Sequence, residues 1–197
     1  DEDGITIGET INPPAEEIED SIDNDCDGQI DLDDEDLILE SLIFTELHLL
    51  PTSTDGGYLE LYNTRQSELD LSRYVISNQN ESLPLNGTLA SGDYLVVAQS
   101  LDSSTNGGVE ADILMDGFSL PDFTSLITVE YDHNETALTV DSLQLESEFV
   151  SEAGSSTQLS SSSVEEDSND ATLWCLSTSS YGDGDLGTPG AMNETCQ

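Results

Sequence analysis

Ser125-Leu126-Ile127-Thr128-Val129-Glu130-Tyr131-Asp132 and Ala137-Leu138-Thr139-Val140-Asp141-Ser142-Leu143-Gln144-Leu145-Glu146 are two runs rich in apolar and β-branched residues, and Asp132-His133-Asn134-Glu135 lies between them. β-branched side chains pack well on a pleated surface, and short polar residues between two such runs favour a turn, so the pair reads as a β-hairpin. Working outward, the same kind of run recurs at Ser41–Leu50, Gly57–Tyr62, Arg73–Ser77 and Tyr94–Ser100, separated by clusters of Gly, Asn, Asp, Ser and Pro. Many short strands at regular spacing, with no helical periodicity, predict an all-β sandwich. Residues 151–170, with the serine run at Ser160–Ser163, are of low complexity and are expected to form an exposed loop.

With 197 residues the chain suffices for one sandwich and a small appendage. We divide it into an N-terminal strand and acidic linker (1–22), a dense acidic loop (23–36) and the sandwich (37–197). Its balance of charge is extreme: 43 acidic residues against Arg65 and Arg73, a formal charge of −41, and no lysine. That removes the cationic footprint required to bind DNA, RNA or an acidic lipid surface. Such self-repulsion opposes a compact state unless cations screen it, so a cation-rich medium is expected. A hydrophobic share of 35% argues against disorder over most of the length.

No stretch is long and apolar enough to cross a bilayer, and the opening Asp1-Glu2-Asp3 lacks a charged-then-apolar signal region, so the chain is expected to be a processed, secreted product. Ile5-Thr6-Ile7-Gly8-Glu9-Thr10-Ile11 alternates as a half-buried strand does, and Pro13-Pro14 ends it. Sequons begin at Asn80, Asn86, Asn134 and Asn193, which leaves glycosylation open.

The segment with chemistry is Asp23-Asn24-Asp25-Cys26-Asp27-Gly28-Gln29-Ile30-Asp31-Leu32-Asp33-Asp34. On the twelve-position calcium-loop template its carboxylates Asp23, Asp25, Asp27, Asp31 and Asp34 fall at positions 1, 3, 5, 9 and 12. Gly28 takes position 6, where the chain turns sharply, and Ile30 position 8, where an apolar residue anchors the loop. Ca²⁺ needs six to eight hard oxygens at flexible geometry, which this spacing supplies together with the Gln29 carbonyl. Acidity alone would give an Asp-rich linker, but it would not place Gly28 and Ile30. With no convincing helix before it, the loop is expected to stand alone and to stiffen the chain rather than sense calcium.

Asp23-Asn24-Asp25-Cys26-Asp27-Gly28 resembles the short Asp-rich, dockerin-like calcium-binding repeat of bacterial surface proteins, in which a cysteine preceding the loop usually pairs with the one inside it. Here Glu19 stands at that earlier position, so Cys26 lacks this partner. A second resemblance covers residues 42–197. It is carried by Phe44-Thr45-Glu46-Leu47, Tyr58-Leu59-Glu60-Leu61-Tyr62-Asn63, Leu69-Asp70-Leu71-Ser72, Ser91-Gly92-Asp93-Tyr94-Leu95-Val96-Val97-Ala98, Trp174-Cys175 and the closing run Tyr181 to Asn193. In this order they are similar to the lamin-tail domain of secreted bacterial proteins. The resemblance implies an immunoglobulin-like β-sandwich serving as a binding or structural module. A bridge between Cys175 and Cys196 is expected from their placement around the closing segment in a secreted chain. Trp174 is expected in the core; for Asp183 and Asp185 a Gly-Asp turn that needs no metal is favoured over a second cation site.

Neither His48, read on an alternating strand, nor His133, read in the hairpin turn, has the neighbours of a triad or a zinc site, and carboxylates are too abundant for any pair to signal a glycosidase. The chain is therefore read as no enzyme. The favoured function is a calcium-stabilised extracellular subunit that assembles with copies of itself into a fibre or surface layer. The competing readings are an adhesion module for a polysaccharide or protein, and an accessory domain of a larger hydrolase.

Overall fold

A computed structural model describes residues 21–26, 28–30, 38–39, 41–121, 125–133, 135–145, 149–164 and 168–197. The expected N-terminal strand Ile5–Ile11 and the loop residues Asp27, Asp31 and Asp34 lie outside these. In chain order the strands are β1 Leu42–His48, β2 Tyr58–Asn63, β3 Leu69–Asp70, β4 Tyr74–Asn78, β5 Ser82–Pro84, β6 Thr88–Leu89, β7 Tyr94–Ala98, β8 Ile113–Leu114, β9 Leu126–His133, β10 Thr136–Gln144, β11 Thr157–Leu159 and β12 Trp174–Leu176. One sheet has the order β12-β11-β1-β2-β7-β8, the second β10-β9-β4-β5, and β3 pairs with β6 in a small ribbon. The chain is an all-β sandwich.

The apolar residues that the strand pattern singled out fill the space between the sheets. Leu42, Phe44, Leu47, Leu59, Leu61 and Val97 come from the larger sheet, and Tyr74, Ile76, Ile127, Val129 and Leu143 from the smaller. Trp174 is 4% exposed, packs against Phe149 and donates its indole N–H to the Ser168 carbonyl, which satisfies its one polar atom. The hairpin of β9 and β10 forms with register His133 to Thr136, the turn passing through Glu135 at φ 68°.

Two bulges tie the layers together. In β1 the register slips between Phe44 and Glu46, and in β10 between Thr139 and Asp141. Asp141 accepts the Phe44 N–H at 2.8 Å across the interface and the Ser168 hydroxyl at 2.9 Å. A carboxylate thus replaces a ladder partner for the Phe44 amide and joins the sheets.

Residues 151–170 are not the exposed loop expected from their composition. β11 lies within this segment, inserted between β1 and β12, and Ser155, Ser156, Thr157, Gln158 and Ser160 are buried. Their polar atoms are bonded: Thr157 Oγ1 donates to the Val150 carbonyl at 2.6 Å, and Ser155 Oγ to the Ser177 carbonyl at 2.9 Å. A strand flanked by serines, as Thr157-Gln158-Leu159 is, can be buried at little cost once each hydroxyl has a partner. Ile30, expected to anchor its loop, is 43% exposed, because it lies outside the apolar cluster that fills the sandwich. Cys175 and Cys196 are joined in a disulfide.

Candidate functional site

In the larger sheet β1, β2 and β7 are buried on both faces. Its second face is covered by the closing segment, residues 180–193, which crosses β1 and β2 as a strap, and the bulge at Thr45 is what aims polar side chains toward it. Phe44 and Leu47 both point into the core although three residues apart, so Glu46 and His48 fall on the strap side, opposite Glu60 and Tyr58 of β2.

The strap is held by carboxylates. Glu46 accepts the Thr188 N–H at 2.9 Å and the Ser156 hydroxyl, and Glu60 accepts the Gly190 N–H at 2.7 Å and the Thr45 hydroxyl at 2.8 Å. Asp185 returns the favour from the strap, accepting the Thr52 N–H at 2.9 Å and the Thr52 hydroxyl. Asn193 closes the crossing by donating its amide to the carbonyls of Thr45 and Leu159 at 2.7 and 3.1 Å. At Gly187 any Cβ would run into the Tyr58 hydroxyl and Glu46, so only glycine lets the strap lie this close.

Glu46 and Glu60 are directly opposite each other across the β1–β2 ladder, both are fully buried, and no cation among the described residues pairs with either. Burial pushes both carboxyls above the usual carboxylate range, while the bonds from Ser156 and Thr188 hold Glu46 back. Glu60 is pushed well above that range by burial first and the Glu46 charge next, with Asp112 adding to it, so Glu60 takes the proton first. Burial likewise raises Tyr94, which lies near Glu60, to about 12. A group whose folded pKa is raised contributes stability below its unfolded value, about 4.5 here, and that contribution is lost as pH rises through the folded value. Glu60→Gln, which keeps an acceptor for the Gly190 amide, is therefore expected to lose less stability than the parent as pH rises from about 4.5. Urea midpoints across that range that run parallel for the two proteins would refute the assignment.

Beside this pair, His48, Tyr58 and Tyr181 meet edge to face with centroids 5.6, 6.1 and 6.2 Å apart. His48 Nε2 lies 3.3 Å from Asp185 Oδ2, within ion-pair reach but not aligned as a hydrogen bond. Burial lowers the His48 pKa, partly offset by Asp185, so the ring is held neutral. His48 is thus a buried residue beneath the strap rather than a member of a simple alternating strand. Asp185 accepts the Thr52 N–H at 2.9 Å, and the Asp183 N–H donates to the Gly107 carbonyl at 3.0 Å.

Of the residues expected to bind calcium, Asp23, Asp25 and Gln29 are described and Asp27, Asp31 and Asp34 are not. Asp23 Oδ2 accepts the Gly28 N–H at 3.2 Å, closing the loop from position 1 to position 6, and Gly28 has φ 99°. Asp23 Oδ1 is buried without a hydrogen-bond partner. A carboxylate oxygen turned inward and left unbonded inside a closed loop fits a hard cation. Among the described residues no group of three or more His, Cys, Asp and Glu side chains is arranged to hold a metal.

A shallow cavity of ≈ 190 Å³ lies at the strap's end, lined by Thr45, Tyr62, Tyr94, Val164 and Met192. Among the described residues its lining carries no carboxylate or histidine. No family model matches this chain, and no curated protein matches it.

The sequence reading passed over Glu46 and Glu60 as site residues. The available signal was an acidic residue inside each of two otherwise apolar strands, Phe44-Thr45-Glu46-Leu47 and Leu59-Glu60-Leu61, facing a glycine-rich closing run.

Proposed function

We propose that this chain is a non-enzymatic extracellular structural subunit, stiffened by Ca²⁺ and assembling with copies of itself. The observation that carries the reading is where four of the sandwich's acids, three of them buried, point. Glu46, Glu60, Asp185 and Asp141 all accept backbone N–H groups of the chain itself, so the groups that would do acid–base chemistry instead fasten its layers. The disulfide is of a kind that persists in oxidising surroundings and adds to the extracellular reading. The lamin-tail-like order of motifs agrees with a structural module.

In this reading Asp23, Asp25, Asp27, Asp31 and Asp34 with the Gln29 carbonyl hold one Ca²⁺, and the ion ties the segment before the sandwich into a fixed shape. Replacing Asp23 and Asp27 by Ala is expected to remove one calcium per chain in titration calorimetry. Chelation is expected to lower the parent's stability by about 2.7 kcal/mol relative to calcium at a hundred times its Kd. An unchanged stoichiometry in the double variant would refute the site. Negative-stain microscopy of the full chain with calcium is expected to show ordered polymers; uniformly dispersed particles at every concentration would overturn the assembly reading in favour of a binding module.

A further inference from the structure

Resting on that assembly reading, we propose that the open half of β10, at Ala137 and Thr139, is the edge onto which residues 5–11 of a second copy add as a strand. The two main sheets end on β12, β8, β10 and β5. Three of these edges are poor templates. β8 has two residues, and β12 has three, one of them the bridged Cys175. β5 also has three, one being Pro84, which lacks the N–H, and the exposed sequon residues Asn80 and Asn86 flank it. β10 has nine residues.

Half of β10 is already capped. Gln144 donates its N–H to Asn169 Oδ1 at 2.9 Å, and the Ser142 carbonyl accepts from Asn169 Nδ2 at 2.8 Å, so an asparagine side chain stands in for a neighbouring strand there. These bonds also fix which residues face outward. Residues 142 and 144 turn their backbone groups away from β9, and in an antiparallel pair outward and inward residues alternate. The bulge between Thr139 and Asp141 shifts the alternation by one, which turns the N–H and C=O of Thr139 and Ala137 to the open side. Both residues are exposed, and neither backbone makes a hydrogen bond outside the ladder to β9 among the described residues.

Proteins ordinarily blunt such an edge with charge or proline. Thr136-Ala137-Leu138-Thr139-Val140 carries neither, in a chain where 23% of residues are charged. Between two bodies of formal charge −41, this is a place where backbones can meet without opposing carboxylates at each step. The occupant follows from the same reasoning. Ile5-Thr6-Ile7-Gly8-Glu9-Thr10-Ile11 has one charge in seven residues and strand alternation, and residues 12–22 span up to about 35 Å when extended, enough to reach a neighbour. Head-to-tail addition of this kind does not close on itself and gives a filament.

The test is amide hydrogen exchange, read residue by residue at 136–140 on the full chain with calcium and salt, below and above the concentration at which polymers form. The Ala137 and Thr139 amides are expected to slow by about tenfold or more on polymerisation. Full-length Ile7→Asp and Ala137→Pro, the latter removing an outward N–H without touching the β9 ladder, are both expected to stay dispersed with native circular dichroism. Polymers in which these amides stay fast would overturn the edge assignment and leave assembly standing. Absence of any polymer would overturn both. Slow exchange that is independent of concentration would assign the edge to the chain's own N-terminal run, and slow exchange in polymers of Ile7→Asp would assign it to another β10; either result refutes the proposal.

Discussion

Glu46→Ala is expected to destabilise the sandwich by about 3 kcal/mol in urea unfolding. The carboxylate accepts the Thr188 N–H at 2.9 Å and the Ser156 hydroxyl in a site without solvent, and alanine would leave both donors unpaired beside a void. Each orphaned buried donor costs about 1–3 kcal/mol, and relief of the repulsion from Glu60 offsets part of that sum. Glu46→Gln separates the two effects. It keeps an acceptor and nearly the same volume while removing the charge that burial penalises, so its cost is expected to stay within about 1 kcal/mol of the parent near neutral pH. Equal losses for the two variants would mean that charge, not hydrogen bonding, holds the strap.

The six longer strands were legible because their residues alternate or run apolar over five positions or more, a pattern that burial imposes on any sheet. Tyr94-Leu95-Val96-Val97-Ala98 is apolar on both faces for a reason that only the strap reveals: Leu95 and Val97 enter the core, while Val96 and Ala98 pack under the strap with Tyr58 and Val109. The strands missed at Leu69–Asp70, Ser82–Pro84, Thr88–Leu89, Ile113–Leu114, Thr157–Leu159 and Trp174–Leu176 have three residues or fewer, too few for a period to register. β11 was hidden further by its flanks, since Ser155, Ser156 and Ser160 are of a type favoured in turns and loops, yet they are accommodated inside where a partner meets each hydroxyl. In β1 the alternation itself misleads. The extra residue at the Thr45 bulge moves Glu46 and His48 onto the face opposite Phe44 and Leu47, and nothing in one sequence marks a bulge. The buried acids escaped notice for a related reason. Among 43 acidic residues, Glu46 and Glu60 differ from the rest in what lies over them, and that cover comes from a segment more than 120 residues away in the chain.

Removing the disulfide by Cys175→Ser and Cys196→Ser is expected to cost about 3 kcal/mol, since the bridge closes a loop of sequence separation 21 and restricts the unfolded chain accordingly. Its structural consequence reaches further than loop entropy, because the strap lies entirely within that loop. With the bridge intact, the ends of the closing segment are fixed at β12 and beside β11, where the Cys196 N–H donates to Ser160 Oγ at 3.1 Å. Without it, residues 180–193 are still held by the bonds to Glu46, Glu60, Thr52, Thr45 and Leu159, and just beyond them Glu194 accepts the Thr178 N–H at 2.7 Å and the Gln158 side-chain amide at 3.2 Å. The strap then leaves as a unit once enough of these bonds are gone. Losses from Glu46→Ala and from the cysteine pair therefore overlap, because a strap already released by one change has less left to lose by the other. A double-mutant cycle on urea unfolding is expected to give a total smaller than the sum by about 1–2 kcal/mol, within the span of about 0.5–3 kcal/mol for sites that are physically coupled. Additivity within about 0.5 kcal/mol would show that the bridge acts on the unfolded chain alone and that the carboxylates hold the strap independently of it.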